Sequence, residues 1–423
     1  MQVDFGDALR TWFKIGCLGF GGPAGQIALM HRILVDEKKW VEEQRYLHAL
    51  NFCMLLPGPE AQKLATYVGW LLHGLRGGLA AGILFVLPGA IVMLVVSLLY
   101  VLGRGIPVID GALFGIKAAV LVIVVEALIR IGRRSLKTKL LIGVAAAAFI
   151  GIFFLDLPFP LIVLAAALVG FFASRAPPRP AAADPRRWRQ FALALLVGLT
   201  LWWAPVALSV LLLGKEHVFV DIGIFFSKLA VVSFGGAYAL LAYMAQQAVE
   251  NYGWMSAPEM VDGLGLAETL PGPLIKITQF VGFLGAYRNP EVFSPTTNAI
   301  LGSALTTWVT FVPPMMLIFA AAPFVEQLRG NPRLSGALAA ITAAVVGVIL
   351  NLTLWFVLHV LFPEVREVRA GPLRWYAFDP ASIEMRVAAL AVVAAVLAFV
   401  FHRGLVQLVA IMAALGIAVR FAL

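Results

Sequence analysis

The chain of 423 residues is 61% hydrophobic and 13% charged, with a formal net charge of +9. Soluble domains hold about 25% charged residues, so a water-soluble protein is excluded. The basic excess lies in short loops between apolar runs instead of interleaving with aromatics on one surface, which excludes nucleic acid as the partner and points to membrane topology.

The N-terminal stretch MQVDFGDALRTWFK has two early aspartates and no basic run ahead of an apolar core, so it is expected to belong to the mature chain. Segments 5–34 and 46–75 follow, each broken near its middle, the first by Phe20-Gly21-Gly22-Pro23 and the second by Pro57-Gly58-Pro59. Apolar runs at 79–102, 107–129, 140–155 and 159–174 approach the roughly 20 residues that cross a bilayer core. The stretch 174–189, SRAPPRPAAADPRRWR, is rich in Pro and Arg and reads as a cytoplasmic linker, followed by an apolar run at 191–213.

The second half repeats the first. Residues 12–59 superpose on 226–273 at a constant offset of 214 without a gap: Phe20-Gly21-Gly22 falls on Phe234-Gly235-Gly236, Trp40 on Trp254, and Leu56-Pro57-Gly58-Pro59 on Leu270-Pro271-Gly272-Pro273. The later runs match in order, with partners at 298–325, 334–361, 385–401 and 404–421. Loop charge fixes the orientation. Arg32, Lys38, Lys39 and Arg45 lie between the two breaks of the first half, whereas Ala245 to Glu259 holds no Lys or Arg. By the positive-inside rule these loops face opposite sides, and the unpartnered run at 191–213 inverts the second repeat. The stretch 362–379 falls outside by parity. The expected fold is therefore an all-α polytopic membrane protein with two inverted-topology repeats, about nine full spans and four helix hairpins broken at the F-G-G and P-G-P turns. Residues 1–173 form the first repeat, 174–189 the linker, 190–213 the connecting helix and 214–423 the second repeat.

Broken helices leave backbone groups unpaired at membrane depth, which is tolerated only inside protein or along a water-filled cavity. Pro23, Pro59 and Pro273 suit the first position of a new helix. The amides then left free are those of Ala24, Gly25 and Gln26, of Glu60, Ala61 and Gln62, of Ala237 and Tyr238, and of Leu274, Ile275 and Lys276. Converging helix N-termini, with Gly21, Gly22, Gly58, Gly235, Gly236 and Gly272 permitting close approach, suit a small oxyanion. The alternative is that the glycines only permit tight helix crossing. Lys63 and Lys276 lie one turn beyond the P-G-P breaks, close enough to add positive charge; Lys14 and Lys228, six residues before the F-G-G breaks, suit snorkelling to an interface. Glu60, Glu126 and Glu268 are the candidates for proton coupling, Glu126 sharing its helix with Lys117. Such a Glu–Lys pair can equally serve packing alone. His31 reads as a solvated loop residue. Cys17 and Cys53 stand alone as small buried hydrophobes. No P-loop, H-E-x-x-H, G-x-S-x-G or dinucleotide fingerprint is present, so neither an enzyme nor a cofactor is expected.

The stretches FKIGCLGFGGPAGQIALMHR and LLPGPEAQKLATYVGW, with SFGGAYALLAYM and LPGPLIKITQFVGF in the second half, resemble the chromate ion transporter family in its long, two-domain form. The resemblance implies a membrane protein of the bacterial inner membrane that exports chromate using the proton motive force and confers resistance to it. It also implies that the motif residues at 20–23, 57–59, 234–236 and 271–273 line the route. Sulfate, of nearly the same shape, is the expected competitor, and the lipid bilayer and a second copy of the chain are the other expected partners. A transporter of sulfate or another oxyanion, or a passive anion channel, are the alternatives. Two departures, Ala237 in place of the turn proline and Leu274 opposite Glu60, make the half-sites unequal.

Overall fold

The computed structural model describes residues 3–20, 22–103, 105–174, 185–234, 237–324 and 332–422. In chain order the helices are α1 (Phe5–Leu18), α2 (Gly22–His31), α3 (Glu43–Met54), α4 (Glu60–Leu102), α5 (Pro107–Ser135), α6 (Lys139–Phe153), α7 (Phe159–Ala173) and α8 (Pro185–Leu213). The second half adds α9 (Val218–Val231), α10 (Ala237–Gln246), α11 (Ala257–Thr269), α12 (Ile277–Arg288), α13 (Pro295–Ala321), α14 (Pro332–Leu361), α15 (Met385–Ala395) and α16 (Leu405–Phe421). A hairpin of β1 (Val365–Ala370) and β2 (Leu373–Phe378) lies between α14 and α15.

Five helices are long and apolar enough to cross a membrane, and the shorter apolar helices α6, α7, α15 and α16 complete the set of spans read from the sequence. The protein is an all-α polytopic membrane protein. Its lipid-facing character is plainest on α8, where Leu193, Leu196, Leu211 and Leu212 are each 60% or more exposed. One span differs from its sequence boundary. The run beginning at Leu79 continues α4, whose 43 residues are bent where His73 and Gly74 leave helical geometry, Gly74 at φ 61°.

The chain forms two compact units. One comprises Met1–Ser97, Ser174–Ala237 and Leu270–Ser335; the other comprises Leu98–Ala173, Tyr238–Thr269 and Gly336–Leu423. Each unit draws on both halves of the sequence. In the first, α13 packs on α8, α9 and α12. In the second, α5 packs on α11, α15 and α16. Gly115 there lies against the Met412 carbonyl and Gly416 against that of Gly111, a small-residue crossing of α5 and α16 that lets backbones meet closely.

The repeat recurs in backbone detail. The Lys38 amide donates to Ile33 and that of Trp40 to Leu34; at offset 214, Tyr252 donates to Gln247 and Trp254 to Ala248. Both pairs close π-helical turns, over Arg32–Glu37 and Gln247–Asn251. The stretch 362–379, placed outside by parity, contains the β-hairpin, with Val365 opposite Phe378 and Ala370 opposite Leu373. VREVRA and LRWYAF flanking Gly371-Pro372 carry the alternation and turn residues of a hairpin, which the mixed charge obscures.

Three loops of the second unit meet at this hairpin. Arg374 of β2, 2% exposed, places Nη1 2.8 Å from Asp156 of the α6–α7 loop and 3.9 Å from Glu250 after α10, while Nη2 donates to the Ile152 carbonyl at 2.7 Å. Arg369 bridges Asp156 at 2.6 Å and also pairs with Glu367. The Trp355 indole donates to Glu250 at 3.1 Å. Burial pushes the Glu250 carboxyl above its ordinary range against the pull of Arg374. The Tyr376 hydroxyl is raised as well, first by burial and then by the Glu250 charge. Loop charge at the segment after α10 and parity at 362–379 give these two stretches the same expected side, and they are in contact.

Candidate functional site

In the first unit the chain breaks meet. At each F-G-G entry the phenylalanine amide turns back on the residue two before it, Phe20 to Leu18 and Phe234 to Val232, both at 2.9 Å. The P-G-P turns then cross between the halves. The Gly58 amide donates to the Ser233 carbonyl at 2.8 Å and the Gly272 amide to the Gly19 carbonyl at 3.0 Å. These two bonds are exact mates at offset 214, so each P-G-P turn is tied to the F-G-G entry of the other half. The glycines are required by geometry: Gly58 has φ 107° and Gly272 φ 93°, a region that L-residues avoid. A Cβ on Gly58 would strike the Pro314 ring of α13, whereas one on Gly272 would lie 3.3 Å from the Gly89 Cα of α4.

Around these ties lies a cavity of about 20 Å³, lined by Pro23 and Gln26 of α2, by Gly58, Pro59, Glu60 and Ala61 at the start of α4, by Ser233, and by Pro273, Leu274 and Ile275. That volume holds about one water, so an oxyanion enters only when the turns part. The first amides of α4 have no acceptor one turn back, and Pro273 gives no side-chain cap to the turn Leu274–Lys276 that leads into α12. The starts of α2 and α4 and of the turn leading into α12 thus border one small space.

Several expected residues are here and several are not. Gly22, at φ 68°, opens α2, and Pro23 is its second residue, one later than expected. Pro59 and Pro273 sit one residue earlier than expected, as caps, Pro273 with ψ 137°. Ala24, Gly25, Gln62, Gly272 and the two lysines do not line the cavity. Gln62 is buried and its amide donates to the Phe311 carbonyl at 3.1 Å. Lys63 and Lys276 are both 1% exposed, but Lys63 gives its ammonium to the Leu56 carbonyl, and Lys276 donates to Leu270 at 2.8 Å and Gly272 at 3.2 Å. Leu56 and Leu270 are repeat mates, although the lysines are one residue out of register. Each lysine neutralises carbonyls beyond the C-terminal end of the half-helix that enters the turn, α3 or α11. Gly21, Gly235 and Gly236 and the side chains of Ala237 and Tyr238 lie outside the described residues.

The carboxylates separate likewise. Glu60 lines the cavity. Glu268 is buried near the end of α11. Glu126 lies apart from the cavity, exposed on α5 and facing Arg130 at 3.8 Å, while Lys117 reaches Asp262 at 3.5 Å. Nine residues of helix turn through about 900°, so Glu126 and Lys117 point in opposite directions and cannot pair. Lys14 and Lys228 are exposed, in keeping with snorkelling. His31, the last residue of α2 and not a loop residue, sits 2.6 Å from Glu43 and 3.3 Å from Asp36. Sequence reasoning missed Ser233, which no motif marks. It also missed the reach of Gln26, whose Nε2 donates to Gly272 at 2.6 Å and Gly19 at 3.1 Å.

Apolar spans, broken half-helices and a small cavity closed by their turns are the features of a membrane transporter. Residues 6–171 and 220–419 match the model of the chromate transporter family. The chain belongs to that family and is a transporter, not an enzyme. It is 32% identical over 357 residues to the chromate transport protein of Pseudomonas aeruginosa, covering 82% of this chain and 80% of that one. It is 27% identical over 344 residues to the probable chromate transport protein of Synechococcus elongatus, covering 80% and 81%. With the chromate transport protein of Cupriavidus metallidurans the identity is 26% over 340 residues, covering 80% and 79%. No solved structure matches the chain significantly.

Proposed function

We propose that the protein exports chromate from the bacterial cytoplasm across the inner membrane by alternating access, with the cavity at the helix breaks as the oxyanion site and the proton motive force as the energy source. The observation that carries this reading is the pair of crossed hydrogen bonds from Gly58 and Gly272 beside three helix starts. Such a closed, symmetric clasp around unpaired donors suits a site that must open to one side at a time, and inverted repeats supply the two openings. A passive channel needs a continuous pore, to which a cavity of about 20 Å³ is poorly suited.

Glu60 gives the coupling a sign. An ionised carboxylate at the cavity repels an oxyanion, so protonation of Glu60 favours anion binding. Net negative charge leaving the cell is driven outward by the membrane potential, the electrical part of the proton motive force, at about 2.3 kcal/mol per charge per 100 mV, and a proton leaving with the anion would reduce that drive. Glu60→Gln then retains flux but loses part of its pH dependence.

The test is chromate flux in proteoliposomes with an imposed potential or an imposed pH gradient, alongside chromate accumulation in cells with and without the protein. Export predicts lower accumulation in expressing cells and flux that follows the potential. Equal accumulation in both, with no protein-dependent flux, would falsify the reading. Sulfate added in excess tests how far shape alone determines entry.

A further inference from the structure

Gln26 is the one cavity residue whose side-chain chemistry the clasp leaves half used. It is 1% exposed, and its Nε2 is committed to two carbonyls, those of Gly272 and Gly19. Both partners are acceptors, so the amide nitrogen must face them and the orientation of the group is fixed. Its Oε1 is buried and has no hydrogen-bond partner. A buried acceptor left empty is costly, and it asks for a donor. Helix starts supply donors, which a fully deprotonated oxyanion can satisfy with all four of its oxygens, but such an ion brings no proton of its own. An oxyanion carrying one O–H fits both demands: its bare oxygens meet the backbone amides and its hydroxyl meets Gln26.

We propose that the cavity selects the monoprotonated form of its oxyanion, hydrogenchromate, with Gln26 Oε1 accepting the hydrogen bond from the substrate's hydroxyl. This rests on the reading of the cavity as the oxyanion site, and it adds a basis for discrimination. Chromate takes up its first proton near neutral pH, whereas sulfate stays fully deprotonated there, so two ions of nearly equal shape differ in the one group Gln26 can read. A site that hydrogen-bonds a substrate hydroxyl discriminates strongly against the analogue lacking it, because the buried partner is left unpaired. One unsatisfied acceptor corresponds to a factor on the order of 10 to 100 in affinity. Glu60 is the one titratable side chain lining the cavity among the described residues, and the nearby ammonium groups of Lys63 and Lys276 are turned to the Leu56 and Leu270 carbonyls.

The experiment measures equilibrium binding of labelled chromate and labelled sulfate to the purified full-length protein, at constant ionic strength, from mildly acidic to mildly alkaline pH. The expected result is chromate affinity that falls about tenfold per pH unit once chromate itself has deprotonated, relative to sulfate at each pH. Sulfate is expected to bind on the order of 10 to 100 times more weakly than hydrogenchromate. Ionised Glu60 repels the sulfate dianion more than the hydrogenchromate monoanion, so the ratio is also measured in Glu60→Gln, where the substrate's own proton is the difference that remains. Gln26→Leu removes the acceptor and is expected to bring the two affinities together; general damage to the clasp would weaken both and leave their ratio in place. Sulfate binding as tightly as chromate across the range overturns the proposal while leaving oxyanion transport intact. A ratio unchanged in folded Gln26→Leu does the same. Binding of neither anion overturns the transport reading and this proposal with it.

Discussion

Gly58 and Gly272 are repeat mates with nearly the same backbone angles, yet alanine at the two positions should have unequal effects. Both substitutions force a side chain into the left-handed half of conformational space, at about 1–2 kcal/mol. At Gly272 little more is added, because the new Cβ meets the Gly89 Cα at 3.3 Å, a tight contact that a shift of a few tenths of an ångström relieves. At Gly58 the Cβ strikes Pro314, coming within 2.7 Å of that ring's own Cβ. A proline ring inside a helix has no rotamer to move to, so overpacking adds about 1–3 kcal/mol. The sum is about 2–5 kcal/mol for Gly58→Ala and about 1–2 kcal/mol for Gly272→Ala. Reversible unfolding in detergent micelles measures both. Pairing Gly58→Ala with Pro314→Ala makes a double-mutant cycle in which the collision term, and only that term, is recovered. Equal losses at the two glycines, or a cycle with no coupling energy, would refute the reasoning.

The lysines give a second prediction: Lys63→Met and Lys276→Met each lose about 1–3 kcal/mol of stability, because each leaves turn carbonyls unpaired, while the chromate-to-sulfate affinity ratio is preserved; a changed ratio would return them to the cavity. Glu126→Gln leaves the pH dependence of chromate flux unaltered, since that carboxylate is exposed beside Arg130; a flattened pH profile counts against this placement. At the hairpin, Arg374→Ala strands partners of a buried cation and costs about 3 kcal/mol, read as loss of protection in β2 by hydrogen exchange. Glu250 tests the sign of linkage. Its raised carboxyl pKa favours the folded state below the unfolded value, and that contribution is lost as pH rises through the folded one. Glu250→Gln should therefore lessen the loss of stability from mildly acidic to neutral pH, and a steeper loss would contradict it.

The spans and the four breaks were legible because they rest on local signals: hydrophobic length, proline and glycine position, and a repeat at constant offset. The glycine requirement at Gly58 and Gly272 followed from the same signals. Loop charge at the segment after α10 and parity at 362–379 gave both one expected side, and Glu250 and Arg374 lie 3.9 Å apart. Side-chain destinations were not legible. Lys63 lies next to a proposed anion site in sequence, but a lysine at membrane depth is drawn to whatever carbonyls lie within reach of its stem, and the end of α3 presents one in Leu56. Lys117 and Glu126 share an apolar helix, and only the 100° advance per residue separates them. Gln26 was marked for its backbone amide alone, and its side chain carried no signal, because its partner Gly272 is 246 residues away.

The repeat accounts for the frame of the site but not for its chemistry. Backbone ties come in equivalent pairs: Gly58 to Ser233 and Gly272 to Gly19. The side chains do not follow. Gln26 has Leu240 as its mate, Glu60 has Leu274, Gln62 has Lys276 and Lys63 has Ile277. Of the residues lining the cavity, the acidic group and the amide acceptor both come from the first half, and the second half contributes Ser233 with Pro273, Leu274 and Ile275. A symmetric clasp can therefore open in two mirrored ways while the oxyanion and the proton are recognised from one side of it. Two equivalent anion sites would need a second Gln26 and a second Glu60, so the proposed site is a single one. Exchanging the pair, with Gln26→Leu and Glu60→Leu in the first half and Leu240→Gln and Leu274→Glu in the second, is expected to restore part of the chromate preference that the two leucine substitutions alone remove. Restoration would show that the recognising groups work from either half of the frame, and its failure, in a protein that folds, would tie them to the first.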